Sequence, residues 1–188
     1  MKQKAIFLHG TGSTGKTSLA KALQECLDEP YLHVGFDLFV PMMPAPYILH
    51  GSRASEGLCF KEDANGKPIL HIGAVGKNFL SGIAHAIGAL AKQGNNIIVD
   101  EILIGEKFEE YLNILQICQI FHVGLFAPIE ILEKREKERG DRLAGQAQGD
   151  FERVHLGKKY DITIDTSQSS PRESAEIIRD YITVNTSS

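Results

Sequence analysis

Gly10-Thr11-Gly12-Ser13-Thr14-Gly15-Lys16-Thr17 follows the pattern Gly, four residues, Gly-Lys-Ser/Thr of a phosphate-binding loop. Glycines let successive backbone N–H groups turn onto an anion. A helix starting at the loop's end adds its partial positive charge. Lys16 can reach β- and γ-phosphates, and the Thr17 hydroxyl can ligate Mg²⁺. The loop therefore predicts a nucleoside triphosphate with Mg²⁺, and the chain as a whole is read as using ATP. Asp100 ends the run Asn96-Ile97-Ile98-Val99. An acid closing a buried apolar strand is the expected second metal partner, often through water, and Glu101 stands beside it. Asp37 follows another strand candidate and can serve as general base, hydrogen-bonding an acceptor hydroxyl and taking its proton. Position alone equally allows a turn-capping aspartate. Arg135, Arg139 and Arg142 recur at i, i+4, i+7, which places them on one helical face. The neighbouring charges offset one another, Glu133 with Lys137 and Lys134 with Glu138. Three guanidinium groups are thus left for phosphoryl oxygens, as in a lid closing over ATP. Gly140 interrupts that face before Arg142.

These residues need a scaffold, and the sequence describes one. Ala5-Ile6-Phe7-Leu8 is apolar throughout, as in a parallel strand buried on both faces. A helix follows from Ser18 to Leu27 and stops at Pro30. Tyr31–Phe36 is the second strand, delivering Asp37 at its C-terminal end, where ligands bind in parallel α/β sheets. Residues 38–52 are irregular, rich in proline and methionine, and contain no lysine or arginine. Asn65-Gly66 marks a hairpin between 58–61 and 68–71. Further helices are expected at 75–93, 108–115, from Pro128 to Arg139, and after the capping box Ser170-Pro171-Arg172-Glu173. Further strands are expected at 96–101, 120–126 and 160–165. Alternation of strand and helix predicts a mainly parallel sheet covered on both faces, with the hairpin inserted.

At 188 residues the chain is read as one domain, with an insertion over about 38–73 and a lid over about 128–149. The net charge of -4 argues against nucleic acid as a partner. Cys26, Cys59 and Cys118 have no metal-like spacing and read as reduced thiols of a cytoplasmic protein. No apolar run reaches the length of a membrane span, and a homo-oligomer is compatible with the sequence. His50, His71, His85 and His155 are scattered singly and are given no role.

Four blocks in the same order resemble the chloramphenicol phosphotransferase family of P-loop kinases. They are the phosphate loop at 10–17; Glu29-Pro30-Tyr31-Leu32-His33-Val34-Gly35-Phe36-Asp37; Arg139-Gly140-Asp141-Arg142-Leu143-Ala144-Gly145; and Val154-His155 with Tyr160-Asp161-Ile162-Thr163-Ile164-Asp165-Thr166. The resemblance implies a three-layer P-loop NTPase fold of the nucleotide-kinase type with a five-stranded parallel sheet. It implies ATP-dependent phosphorylation of an alcohol, chloramphenicol in the type enzyme, with Asp37 as general base, Lys16 on the phosphates and arginines 135, 139 and 142 in the lid. Leu38-Phe39-Val40-Pro41-Met42-Met43 departs from the type enzyme where substrate would touch.

The resulting expectation is a small-molecule O-phosphotransferase for a partly apolar alcohol such as chloramphenicol or a related compound. A nucleotide, adenylyl-sulfate or sugar kinase is the alternative within enzymes, and it would want cations in 38–52 to hold a second anion. A nucleotide-binding regulator is the alternative from another class, and it would need neither Asp37 nor the arginines.

Overall fold

The computed structural model describes residues 2–62, 68–139, 151 and 153–186. Strands β1 (Lys4–His9), β2 (Tyr31–Val34), β5 (Asn96–Asp100), β6 (Gln119–Phe126) and β7 (Ile162–Asp165) form one sheet in the order β2-β5-β1-β6-β7. Every pairing is parallel, and Phe7 of β1 lies opposite Val99 on one side and His122 on the other. The expected five-stranded parallel sheet is present.

Both faces of the sheet are covered, so its strands are apolar without interruption. Ala5, Phe7, Ile97 and Val99 point to one face and pack on helices α3 (Ala74–Lys92) and α4 (Glu106–Ile114). Ile6, Leu8, Ile98, Val123 and Leu125 point to the other, against α1 (Lys16–Cys26) and the C-terminal helix α6 (Pro171–Thr186). The result is three layers. Helix ends follow local chemistry. Gly94 takes φ 91° after α3, a left-handed conformation that glycine adopts without steric cost. Ser170 and Glu173 form the reciprocal capping box that starts α6, the Ser170 N–H donating to Glu173 Oε2 at 2.8 Å.

The expected long second strand is shorter. β2 stops at Val34, and helix α2 (Phe36–Phe39) follows, so Asp37 lies in the first turn of a helix rather than at a strand end. Gly35 separates the two, its extended backbone pressed against that of Asp100. A Cβ at Gly35 would fall 2.1 Å from the Asp100 carbonyl oxygen. The last strand starts at Ile162, not Tyr160.

Residues 38–52, expected to be irregular, contain two 3-10 turns, Val40–Met42 and Ala45–Tyr47, each with proline among its first two positions. The hairpin pairs β3 (Leu58–Glu62) with β4 (Pro68–Ile72) antiparallel; its Asn65-Gly66 tip lies outside the described residues. Helix α5 (Ile129–Arg139) begins the expected lid, and residues 140–150 lie outside the described set. Lys134 and Glu138 do approach, at 3.9 Å. Among the described residues no helix is long and apolar enough to cross a membrane, and Cys26, Cys59 and Cys118 are free thiols.

Candidate active site

The phosphate loop joins β1 to α1, and its backbone does what the motif requires. Ser13 and Gly15 both take positive φ, 63° and 88°, which turns the chain around a concave row of N–H groups. A Cβ on Gly10 would meet Thr14 Oγ1 at 2.6 Å and Leu125 O at 3.2 Å, so only glycine permits the tight entry. Thr11 donates to Gly12 O at 3.0 Å and Thr14 to Thr11 O at 2.9 Å, which fixes the curve from within. Lys16 is buried, and its ammonium rests on Gly10 O and Thr11 O at 3.0 and 2.8 Å. Ser13 Oγ is buried with no hydrogen-bond partner among the described residues. A curled run of amides, a buried ammonium and an unsatisfied hydroxyl fit a polyphosphate.

Asp100 ends β5 next to the start of α1. The Thr17 hydroxyl donates to Asp100 Oδ2 at 2.7 Å. His33, unassigned from sequence, approaches the same oxygen with Nε2 at 3.1 Å. Burial pushes the Asp100 carboxyl up. The His33 hydrogen bond, the Lys16 charge and the Thr17 hydroxyl outweigh that and hold it below the ordinary aspartate value. It is therefore an anion at neutral pH. One hydroxyl and one carboxylate with no further acidic cluster suit Mg²⁺, which keeps waters and takes other ligands from phosphates. Among the described residues no group of three or more His, Cys, Asp or Glu side chains could hold a metal by itself. The signal for His33 lay in the register, since His33 pairs with Ile98 on β5 and Asp100 follows on the same face. Local sequence does not contain that register.

Glu101 does not join this centre. It points away, 4% exposed, and its Oε1 accepts from Lys107. Asp37 follows Gly35, whose backbone packs against that of Asp100. Phe36 and Phe39 anchor α2 on the core, leaving Asp37 on the exposed side, two residues from the backbone that touches Asp100.

Arg135 lies on α5, as its spacing predicts. Its guanidinium donates to Thr166 Oγ1 at 3.1 Å and Thr166 O at 2.7 Å. It thereby lines a cleft of about 420 Å³ between the phosphate loop and the loop entering α6, with Ser18, Thr166, Ser169 and Pro171 around it. Arg139 ends α5, and its side chain, like Arg142, lies outside the described residues. The structure therefore brings Arg135 to the phosphate loop without testing the three-arginine face.

A group of rings next to the loop was not anticipated. His9, immediately before Gly10, is 1% exposed and lies 3.1 Å from His122 Nδ1 through Nε2. Burial first, then the neighbouring His122, Lys158, His155 and Lys16, lower its pKa to about 3. His155, given no role from sequence, meets the Tyr160 hydroxyl at 2.6 Å and stacks on Phe126 with ring centroids 4.1 Å apart. Burial, then Lys158 and Lys16, also lower its pKa. These histidines are scattered along the chain, and only the parallel pairing of β1, β6 and the segment before β7 gathers them.

Comparison with known proteins places this arrangement. A family model described as chloramphenicol phosphotransferase-like protein matches residues 3–183. A protein of Mycobacterium tuberculosis strain H37Rv, named "Putative O-phosphotransferase", is 30% identical over 177 residues, covering 92% of this chain and 79% of its relative. Among solved structures, the APS kinase of Mycobacterium tuberculosis in complex with AMPPNP and APS superposes with a TM-score of 0.65 at 18% identity, over 96% of this chain and 98% of that one. Shikimate kinase from Acinetobacter baumannii in complex with shikimate gives 0.60 at 16% identity, over 97% and 94%. At these identities the two kinases establish the shared fold.

Proposed function

The chain belongs to the chloramphenicol phosphotransferase-like family, and from that premise we propose that it is an ATP-dependent O-phosphotransferase acting on a hydroxyl of a small, partly apolar molecule, chloramphenicol or a related compound. The observation that supports this reading is the phosphate loop with Lys16 buried in it and Thr17 donating to Asp100 Oδ2, while Asp37 follows, two residues on, the Gly35 backbone that packs against Asp100.

ATP with Mg²⁺ supplies the phosphoryl group and the charge that neutralises it as it moves. The chain's own residues do the rest. The amides of residues 10–15 and the Lys16 ammonium hold the phosphates. Thr17 and Asp100 hold the metal, and His33 keeps Asp100 oriented and ionised. Arg135, fixed on Thr166, forms a wall of the cleft next to the loop, suited to the nucleoside end of the donor. Asp37 hydrogen-bonds the acceptor hydroxyl and takes its proton as the new bond to phosphorus forms. Arg139 and Arg142, whose side chains lie outside the described residues, are assigned in this reading to the charge on the transferring group.

The acceptor class follows from what surrounds Asp37. Leu38, Met42 and Leu49 are exposed on the segment after it. Arg53, the first cation after that segment, is bound to the Glu56 carboxylate at 2.6 and 2.8 Å and lies 4.6 Å over the Tyr47 ring. It is committed within its own loop, which disfavours an acceptor carrying a second phosphate or sulfate. The test is an ATP-consumption screen over small alcohols and antibiotics, with chloramphenicol first. The reading expects at least one uncharged alcohol to be phosphorylated with one ATP consumed per hydroxyl modified. Consumption only with nucleotides or adenylyl sulfate would replace it.

A further inference from the structure

Lys158 carries a charge that the mechanism above does not use. Its ammonium donates to Leu103 O at 2.7 Å and to Val154 O at 2.5 Å, and it lies 5.0 Å over the Phe108 ring. It makes no ion pair with a carboxylate among the described residues. Burial lowers its pKa from the usual lysine value. Holding an ammonium in such a place costs solvation energy, and an apolar side chain would fill the space without that cost. Two main-chain oxygens from separate segments explain why a cation is there.

Those segments differ in how they are held. Residues 153–161 are fastened to the sheet. The Tyr160 ring covers Gly124, where a Cβ would meet it at 2.6 Å, and lies 5.5 Å from the His9 ring. Asp161 bonds the His122 backbone in both directions, accepting its N–H at 2.6 Å and donating to its carbonyl at 2.9 Å. Residues 101–105 are held through side chains, Leu103 buried in the core and Glu101 bonded to Lys107, and not through strand hydrogen bonds. They leave β5 after Asp100, pair with no strand, and reach α4 through Gly105 at φ 57°. Leu103 lies in the middle of this loop, and its carbonyl is the one Lys158 grips.

We propose that Lys158 is a positioning residue for phosphoryl transfer, bracing the loop that follows Asp100 against the sheet-anchored segment 153–161. Asp100 has one end in β5 and the other in this loop, so the brace limits how far its carboxylate can swing. Through the Gly35 contact the same brace steadies α2 and Asp37. A charge-assisted hydrogen bond to a main-chain carbonyl is directional and strong enough for this, and the flexible lysine stem lets it span the two loops. The kinetic part of the claim rests on the phosphotransferase reading; the mechanical part does not.

Lys158→Met and Lys158→Arg are compared with wild type by hydrogen exchange and by turnover. In Lys158→Met the amides of 101–105 should exchange roughly tenfold faster or more, the scale of one lost charge-assisted bond. Exchange in β1 and β6 should stay as in wild type. The kcat for transfer should fall by about tenfold with nucleotide KM within about twofold, since the phosphate loop is untouched. Lys158→Arg, which keeps a donor, should restore both. If Lys158→Met does not fold, Lys158→Gln takes its place. Unchanged exchange at 101–105 overturns the brace. Faster exchange with unchanged kcat overturns its role in transfer. A wild-type protein inert toward every alcohol removes the kinase reading, and the exchange comparison still decides the brace.

Discussion

Asp100 Oδ2 receives both the Thr17 hydroxyl and the His33 imidazole, so three separate parts of the chain converge on one oxygen. Lys16 and Thr17 could be read from their motif, because the loop's chemistry is local. Asp100 was readable as an acid ending an apolar strand. His33 was not, since its partner is reached only through the register of β2 on β5. Arg135 shows a different limit. Helical spacing correctly put it on α5, but spacing says nothing about Thr166, which fixes its guanidinium. The buried imidazole before the loop leads to a prediction at this scale. His9 has its pKa lowered to about 3 by burial and neighbouring His122. Between that value and its usual 6.5, the unfolded chain binds a proton that the folded one refuses. Its contribution to stability is therefore complete above pH 6.5 and is lost as pH falls toward 3, by on the order of a few kcal/mol. Urea midpoints measured from pH 7.5 to 4.5 should fall with acid, and His9→Gln should reduce that slope by about one proton. An unchanged slope in the variant would show that His9 does not titrate this way.

Among the elements, α2 decides what the site can do. A short helix replaces the end of the expected strand, and the Gly35 between them packs its backbone against Asp100. Strand propensity in Tyr31–Phe36 could not reveal this, since the contact is with a residue far along the chain. The proline-rich stretch gave its irregularity away, and its two 3-10 turns follow from prolines setting φ at their starts. The capping box of α6 was fully legible, because both of its partners lie within one turn. Gly35→Ala tests the joint between α2 and β5. The added methyl would fall 2.1 Å from Asp100 O, so the backbones must part. Stability should drop by about 1–3 kcal/mol, the usual cost of overpacking. Transfer should drop more than nucleotide affinity, because Asp37 moves relative to Asp100 while residues 10–17 stay in place. Wild-type stability and rate in this variant would mean that the contact does not set the position of Asp37.

For the molecule as a whole, one sheet is shared by two apolar clusters, one beneath α3 and α4 and one beneath α1 and α6. Alternation of strands and helices was enough to predict this layering. Strand order was not legible, because the chain returns from β5 to lie beside β1 through crossovers of very different length. The phosphate loop joins the central strand β1 to α1, so a ligand bound there stabilises the folded state of both clusters together. A non-hydrolysable ATP analogue with Mg²⁺ at about 100 times its Kd should raise the melting midpoint by roughly 5–10 °C in a single transition. Lys16→Ala should melt like wild type without ligand and lose the shift; a full shift in that variant would contradict the loop assignment.

In the proposed reaction Asp37 is the base that receives the acceptor's proton. Its most direct test is the rate of phosphoryl transfer to the best alcohol from the screen, followed by ³¹P NMR for wild type and Asp37→Asn, with ATP affinity measured in parallel. The variant should bind ATP as wild type does and lose transfer by about two to four orders of magnitude. Transfer near the wild-type rate in Asp37→Asn would contradict the account.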